Sequence, residues 1–204
     1  MVTKTEAEAK KTPYHPFVAP REYSFELNMD MLGLVRKEFD PSLAIEKFVK
    51  ALTEKTGEKL DVVAEKIFGE YGINWMRKSI QLGEEYPDRT YEILKEAADR
   101  TGELIFPLVL QRDIEIAYLG TQRFRKLTIL ESWARRFVYK ISDCYTFKIL
   151  REKCFPEVVD FLPCRHACLK ACNTALKSLN INGTVKMDAT MIRDSHCQFA
   201  IARI

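Results

Sequence analysis

The sequence lacks both a long apolar run and a strong excess of one charge. Nowhere in its 204 residues is there the stretch of roughly 18 apolar residues that a membrane-spanning helix needs. The formal net charge is only +3, and no compact basic stripe is interleaved with aromatic residues. We therefore expect neither a membrane nor a nucleic-acid partner.

An apolar leader is also missing from the start of the sequence. Its first residues, MVTKTEAEAKKTPYHPFVAP, lack the apolar core of a secretory signal. This predicts a cytoplasmic location, where thiols stay reduced. The six cysteines are then expected to be free thiols, metal ligands or redox groups rather than a disulfide framework.

Internal repeats and low-complexity segments are absent as well, which favours an ordinary globular chain. Residues 1–20 are polar, charged and proline-bearing, and we predict a flexible N-terminal arm there. Residues 21–204 are predicted to form one α+β domain. Its helical part is expected at about 40–110 and its cysteine-rich α+β part at about 130–204.

The first half of the chain shows helical spacing of apolar residues. YSFELNMDMLGLV is interpreted as a short strand or docking segment. Asp40-Pro41 favours a helix start, and Gly57 an end. The next helix, from Leu60, is predicted to weaken at Gly69 and Gly72, with NWMRKSIQL continuing in a new direction.

Of two further segments in this half, one has clear helix ends and the other allows two structures. Asp88 is a suitable cap for a helix that stops at Gly102. The apolar segment ELIFPLVLQ has Pro107 in its middle and fits either a kinked buried helix or a buried edge segment.

The second half mixes strand and helix patterns. SWARRFVYKIS alternates from Trp133 to Ile141 and predicts a strand, whereas YTFKILREK predicts a short helix. FLPCRHACLKACNTALKSL predicts a helix opened by Pro163. Alternation in 185–191 and 197–203, with RDSH between them, predicts a β-hairpin. The predicted fold class is thus α+β, with a helical N-terminal half packed against a small antiparallel sheet that ends in a C-terminal β-hairpin.

The stretch CRHACLKACN places three cysteines four residues apart. Four helical residues turn through about 400°, so Cys164, Cys168 and Cys172 share one face. Small residues on that face suit close packing, and free cysteine is a good core residue. The alternative is a metal site. Eight helical residues span about 12 Å, too far for Cys164 and Cys172 to share one zinc ion, although an adjacent pair can.

A metal site would need further ligands from outside this helix. Zinc and an iron–sulfur cluster are both candidates, and the cluster requires about four thiolates. The candidate ligands are the cysteines Cys144, Cys164, Cys168, Cys172 and Cys197, with Cys154 and His196 as additional donors.

The segments SDCYTF, CRHACLKACN and MIRDSHCQFAIAR together resemble a known family. Over about residues 130–204 the chain is similar to the L-2-amino-thiazoline-4-carboxylic acid hydrolase-like family and the related 4-vinyl reductase small-ligand domain. Cys144, the helix cysteines, and Asp194 with Cys197 and Phe199 take the family's positions. The chain departs from the family at Arg193, where a glycine is usual, and at Asn173, where no aspartate follows the helix cysteine.

The resemblance implies hydrolysis of a cyclic thiazoline or amidine carboxylate. Cys172 or Cys197 would be the nucleophile with His196 as its base, or Asp194 would activate a metal-bound water. Arg135 or Arg123 would bind the substrate carboxylate.

Two other classes of function remain open. The chain is alternatively a non-catalytic module for a small ligand or partner protein, with Met187, Ala189 and Met191 as a pliable wall. It is otherwise an accessory protein whose cysteines hold zinc or an iron–sulfur cluster. A homo-oligomer is compatible with each of these.

Overall fold

The computed structural model describes residues 25–54, 59–123 and 125–204. The predicted arm at 1–20 and the predicted helix end at Gly57 lie outside these ranges. The helices within them are α1 (Met29–Glu38), α2 (Pro41–Glu54), α3 (Leu60–Glu85), α4 (Arg89–Thr101), α5 (Leu110–Thr121), α6 (Tyr145–Lys153), α7 (Pro156–Asp160), α8 (Arg165–Ser178) and α9 (Met191–Asp194). The strands are β1 (Thr128–Trp133), β2 (Arg136–Ile141), β3 (Gly183–Ala189) and β4 (Cys197–Arg203).

Side-chain caps set the starts of several helices. Asn28 Oδ1 accepts hydrogen bonds from the backbone of Asp30 (2.8 Å) and Met31 (3.2 Å). This cap starts α1, so the strand alternative for this segment was wrong. Asp40 Oδ1 accepts from Ser42 N at 2.8 Å, as the predicted start of α2 requires.

The long helix α3 runs through both of its internal glycines. The sequence predicted a weak end at Gly69 and Gly72 and a change of direction afterwards, but the helix continues for 26 residues. Gly72 instead lies against the backbone of α8, where a Cβ atom would come within 2.1 Å of Ala167 O. The missing side chain therefore serves close helix packing and does not end the helix.

Helix α4 has the predicted ends. Asp88 Oδ1 accepts from Tyr91 N at 2.9 Å, and Gly102 adopts the left-handed conformation with φ of 70°. The following apolar segment forms a π-helical turn at Ile105–Val109, kinked at Phe106, and leads directly into α5. Of the two alternatives for this segment, the kinked buried helix is the one found.

The four strands form one antiparallel sheet in the order β1-β2-β4-β3. The α+β prediction is confirmed, including the pairing of the last two strands. The single strand predicted from Trp133 to Ile141 is wrong, because residues 134–135 form a turn between β1 and β2. The last connection also differs, since Met191 begins α9 rather than ending a strand.

Helix α5 lies at the centre of the molecule and is buried at every residue. It belongs to a cluster of buried apolar residues that extends from α1 to β4. Two carboxylates of α5, Asp113 and Glu115, are buried in this surrounding. Within the described residues, no helix combines the length and apolar character required to cross a bilayer.

Because these two carboxylates are buried, we expect the free energy of unfolding to fall as the pH rises. Burial raises the pKa of Asp113 from 3.8 and that of Glu115 from 4.5, each to about 7. Among the described residues, Asp113 Oδ2 and Glu115 Oε2 have no hydrogen-bond partner, so neither charge is well compensated. Between about pH 4 and pH 7 the folded chain binds more protons than the unfolded chain. The free energy of unfolding therefore decreases as the pH rises from about 4 to about 7.

Urea unfolding at pH 5 and pH 8 tests this. We expect a lower free energy of unfolding at pH 8, by the order of 2 kcal/mol for each carboxylate. Asp113→Asn should remove its share of the decrease, whereas the exposed Asp99→Asn on α4 should leave the decrease unchanged. An identical pH response in Asp113→Asn and the unmodified chain would contradict the assignment.

Candidate functional site

Four of the six cysteines line one small cavity, which we call the thiol cavity. Cys144 precedes α6 and accepts a hydrogen bond at its N-terminus, Cys164 precedes α8, Cys168 lies one turn into α8, and Cys197 begins β4. The thiol cavity has a volume of about 30 Å³, which is room for one or two water molecules. Segments far apart in sequence thus bring their sulfur atoms to one place.

The wall of the thiol cavity is largely apolar. It also contains Tyr71, Trp75, Tyr118, Ile141, Phe147, Leu162, Ala167, Met187 and Met191. Arg165 is the cation in this wall. Its guanidinium is paired with Asp61 Oδ1 at 2.9 Å and lies over the Phe161 ring at 4.7 Å.

Burial keeps the thiols protonated at neutral pH. It raises the pKa of Cys144, raises that of Cys164 and Cys168 far above the usual range, and raises that of Cys197 to about 12. The neighbouring thiol groups add to the shift for all but Cys144, because negative charges in one apolar place repel each other. A thiolate in this cavity therefore needs a compensating cation.

Hydrogen-bond donors already surround several of the sulfur atoms. Cys144 Sγ accepts from Phe147 N at 3.4 Å. The backbone of Met191 lowers the pKa of Cys197, and the hydroxyl of Tyr118 lowers that of Cys168, in each case against the larger effect of burial. These donors favour the thiolate form, opposing the effect of burial.

Gln122 holds the turn that carries Cys144. It is buried at the end of α5, where its Oε1 accepts from Tyr145 N at 2.7 Å and its Nε2 donates to Thr146 Oγ1 at 3.0 Å. Sequence reasoning missed this residue, because a lone glutamine after a helix carries no motif. Its partners are 23 and 24 residues away in the chain.

Cys172 does not line the thiol cavity. It is buried on α8, with its sulfur 3.0 Å from Tyr139 Oη. Tyr139 Oη in turn donates to Tyr118 Oη at 3.2 Å. A hydrogen-bonded chain thus connects Cys172 with Tyr118, which faces the cavity. Of the two predicted nucleophiles, only Cys197 faces the cavity.

The predicted acid–base residues form contacts within their own loop. His196 Nδ1 lies 2.7 Å from Asp194 O. The Asp194 carboxylate accepts from Thr190 N at 2.8 Å and binds Arg193, which lowers its pKa. Neither His196 nor Asp194 is among the described residues of the cavity wall. Arg193, where the resemblance predicts a glycine, thus pairs with the carboxylate predicted as a base.

His166 of α8 is not among the residues of the cavity wall. Its Nε2 lies 2.7 Å from Asp61 Oδ1 on α3. Its side chain is only 13% exposed.

The two predicted carboxylate-binding arginines lie in different places. Arg135 is exposed in the turn between β1 and β2, where its carbonyl accepts from Arg203 N at 3.0 Å. Arg123 follows α5 and lies over the Tyr145 ring at 3.9 Å, with its Nη2 donating to Tyr145 Oη at 2.7 Å. Only Arg123 is near a cysteine of the cavity, since Tyr145 follows Cys144 directly.

The thiol cavity is not shaped for one bare metal ion. Within residues 25–54, 59–123 and 125–204, no three His, Cys, Asp or Glu side chains form a group that could hold one. A ligand shared by all four thiols would have to be wider than a single ion, or the thiols would have to turn inward.

Comparisons of the chain with protein-family models, curated proteins and solved structures gave no match. They leave the resemblance to the thiazoline-carboxylate hydrolase-like family as a prediction.

Proposed function

We propose that the chain is an accessory protein that holds a cysteine-ligated metal centre in the thiol cavity. The ligands would be Cys144, Cys164, Cys168 and Cys197. The observation that carries this proposal is that four thiols from separate segments line one cavity. Cys154 and Cys172 lie outside it.

The chemistry of the cavity supports a metal rather than a free nucleophile. Burial raises the pKa of all four thiols, so without a cation they stay protonated and weakly reactive. A soft metal displaces the thiol protons and neutralises the thiolates that form. The donors to Cys144, Cys168 and Cys197 are of the kind that tune metal–thiolate centres.

Of the two centres that thiolates commonly hold, we take the iron–sulfur cluster as the one to test first, because four cysteines line the cavity. Four cysteines satisfy such a cluster, which is wider than one ion. The cluster would need more room than the present cavity, and the unbranched Met187 and Met191 are the wall residues best able to move aside.

Anaerobic reconstitution with iron and sulfide tests the proposal. We expect stoichiometric bound iron and sulfide with broad thiolate-to-iron absorption in the visible range. Serine variants of Cys144, Cys164, Cys168 and Cys197, made one at a time, should each lose most of the cluster or shift its spectrum. Cys154→Ser is the matched control, because Cys154 ends α6 outside the cavity.

Different outcomes separate the alternatives. Stoichiometric zinc with the same four-cysteine dependence would retain the metal centre but replace the cluster. Protein that binds neither metal, or a cluster equally weakened by Cys154→Ser, would contradict the proposal.

Hydrolysis of a cyclic thiazoline or amidine carboxylate is the second candidate function. The feature that favours it is Arg123, which lies beside the turn carrying Cys144 and could bind a carboxylate. Cys197 would be the nucleophile, as the predicted nucleophile that faces the cavity. Thiol release from 2-amino-thiazoline-4-carboxylate by metal-free protein, lost in Cys197→Ser and kept in Cys154→Ser, would favour this function over the metal centre.

A further inference from the structure

A second, larger cavity lies beside the thiol cavity, and we call it the arginine groove. It has a volume of about 710 Å³, within the range of small-molecule sites. It is bordered by α1, by the segment that follows α5 and by the start of α6. Gln122 lines both this groove and the thiol cavity.

Three arginines line the arginine groove, namely Arg36, Arg123 and Arg125. Asp40 is the acidic residue of its lining, and its carboxylate already accepts from Ser42 N at 2.8 Å. Counting only partners in the described part of the chain, none of the three arginines has an ion pair with a carboxylate. The groove therefore has an excess of positive charge that the described residues do not neutralise.

Two of these arginines are held in place by other contacts. Arg36 Nη2 donates to Leu119 O at 3.3 Å. Arg123 lies over the Tyr145 ring and donates to its hydroxyl. These contacts orient the guanidinium groups, and no carboxylate of the described residues binds their other N–H donors, a state suited to binding an anion.

Part of the remaining wall of the groove is apolar. Met29, Leu32, Pro41 and Leu119 contribute to its wall. A highly charged peptide would gain little from these side chains, whereas an organic anion with an apolar body would use both parts of the groove.

We infer that the arginine groove binds a small organic anion, with a carboxylate, phosphate or sulfonate group on the arginines and an apolar body against α1. This inference goes beyond the metal centre and does not depend on it. Gln122 would connect the groove to the thiol cavity, since its side chain binds Tyr145 and Thr146, the two residues that follow Cys144.

A pair of dyes tests the inference with the full chain. The first, 8-anilinonaphthalene-1-sulfonate, is an apolar anion, and N-phenyl-1-naphthylamine is its neutral counterpart. We expect saturable one-to-one binding of the sulfonate, detected by fluorescence and calorimetry, and much weaker binding of the amine. Arg123→Ala and Arg125→Ala should each weaken sulfonate binding by about tenfold, because each removes a charge-assisted contact. Added salt should weaken it further.

The controls distinguish this site from general dye binding. Arg151→Ala, an exposed arginine of α6 outside the groove, should bind the sulfonate like the unmodified chain. Arg123→Lys retains charge but not the planar fork, and should give intermediate affinity. Circular dichroism verifies that each variant is folded, and metal content is measured separately.

Three results would overturn the inference. They are equal affinity for both dyes, unchanged affinity in Arg123→Ala and Arg125→Ala, and displacement of the sulfonate by hexaglutamate at the concentrations at which a simple aryl carboxylate acts. The last would assign the groove to an acidic protein segment.

Discussion

Replacing Arg112 with alanine is expected to lower the free energy of unfolding by about 3–5 kcal/mol. Arg112 has no exposed side-chain surface, and the side chain of its partner Asp88 is 8% exposed. Removing the arginine leaves a buried carboxylate without its counter-charge. A buried charge without a partner is among the most destabilising changes a folded chain can undergo.

Arg112 joins three helices through separate donors. Its Nε donates to Asp88 Oδ2 at 2.9 Å, its Nη1 to Gly83 O at 3.0 Å and its Nη2 to Tyr86 O at 3.1 Å. Its guanidinium also lies over the Tyr91 ring at 4.0 Å. The Arg112 side chain, from the first turn of α5, therefore binds both the end of α3 and the cap of α4.

Urea unfolding measures the effect, with Arg100→Ala as the control. Arg100 pairs with Glu96 on the exposed face of α4, and its loss should change the free energy of unfolding by less than about 1 kcal/mol. Arg112→Lys should fall between the two, since a lysine retains the charge but cannot serve three acceptors in a plane. A loss below about 1 kcal/mol in Arg112→Ala would show that the network adds little to stability.

Features of the fold that depend on residues close together in the chain could be predicted from the sequence. The caps at Asp40 and Asp88 and the stop at Gly102 were predicted because each acts on residues within one turn. The burial of Arg112 could not be predicted in this way. The run from Gln111 to Glu115 is polar except for Ile114, a pattern typical of a solvent-facing helix surface. Tertiary packing, mainly from α1 and α3, covers it.

In the candidate site, too, helical spacing predicted the neighbours within α8 but not the residues that come from other elements. Helical spacing placed Cys164 and Cys168 on one face, but it also included Cys172, whose sulfur instead meets Tyr139 of β2. That Cys144 and Cys197 join the first two could be proposed from the resemblance but not from spacing. They come from α6 and β4, and tertiary packing alone determines where those elements meet α8.

Tertiary packing also decides the roles of Gly69 and Gly72, which the sequence pattern could not distinguish. Substitution of Gly72 gives the second large expected effect on the free energy of unfolding. Both glycines lie within α3, and helix propensity alone predicts that alanine would stabilise each position. The structure separates them. A Cβ atom at Gly69 would meet the flexible Lys170 side chain at 3.5 Å, an ordinary contact, whereas one at Gly72 would meet the backbone carbonyl oxygen of Ala167 at 2.1 Å.

Gly72→Ala is therefore expected to lower the free energy of unfolding by about 2–3 kcal/mol, because α8 has to move away from α3. Gly69→Ala, one turn away, should instead raise it by about 0.5–1 kcal/mol. Ala167 directly precedes Cys168, so the displacement of α8 should also weaken metal binding in Gly72→Ala while Gly69→Ala binds normally. Urea unfolding and metal content on the two variants measure both effects. Equal stability would mean that α3 and α8 can separate without cost, and normal metal binding in a destabilised Gly72→Ala would show that the thiol cavity does not depend on this helix contact.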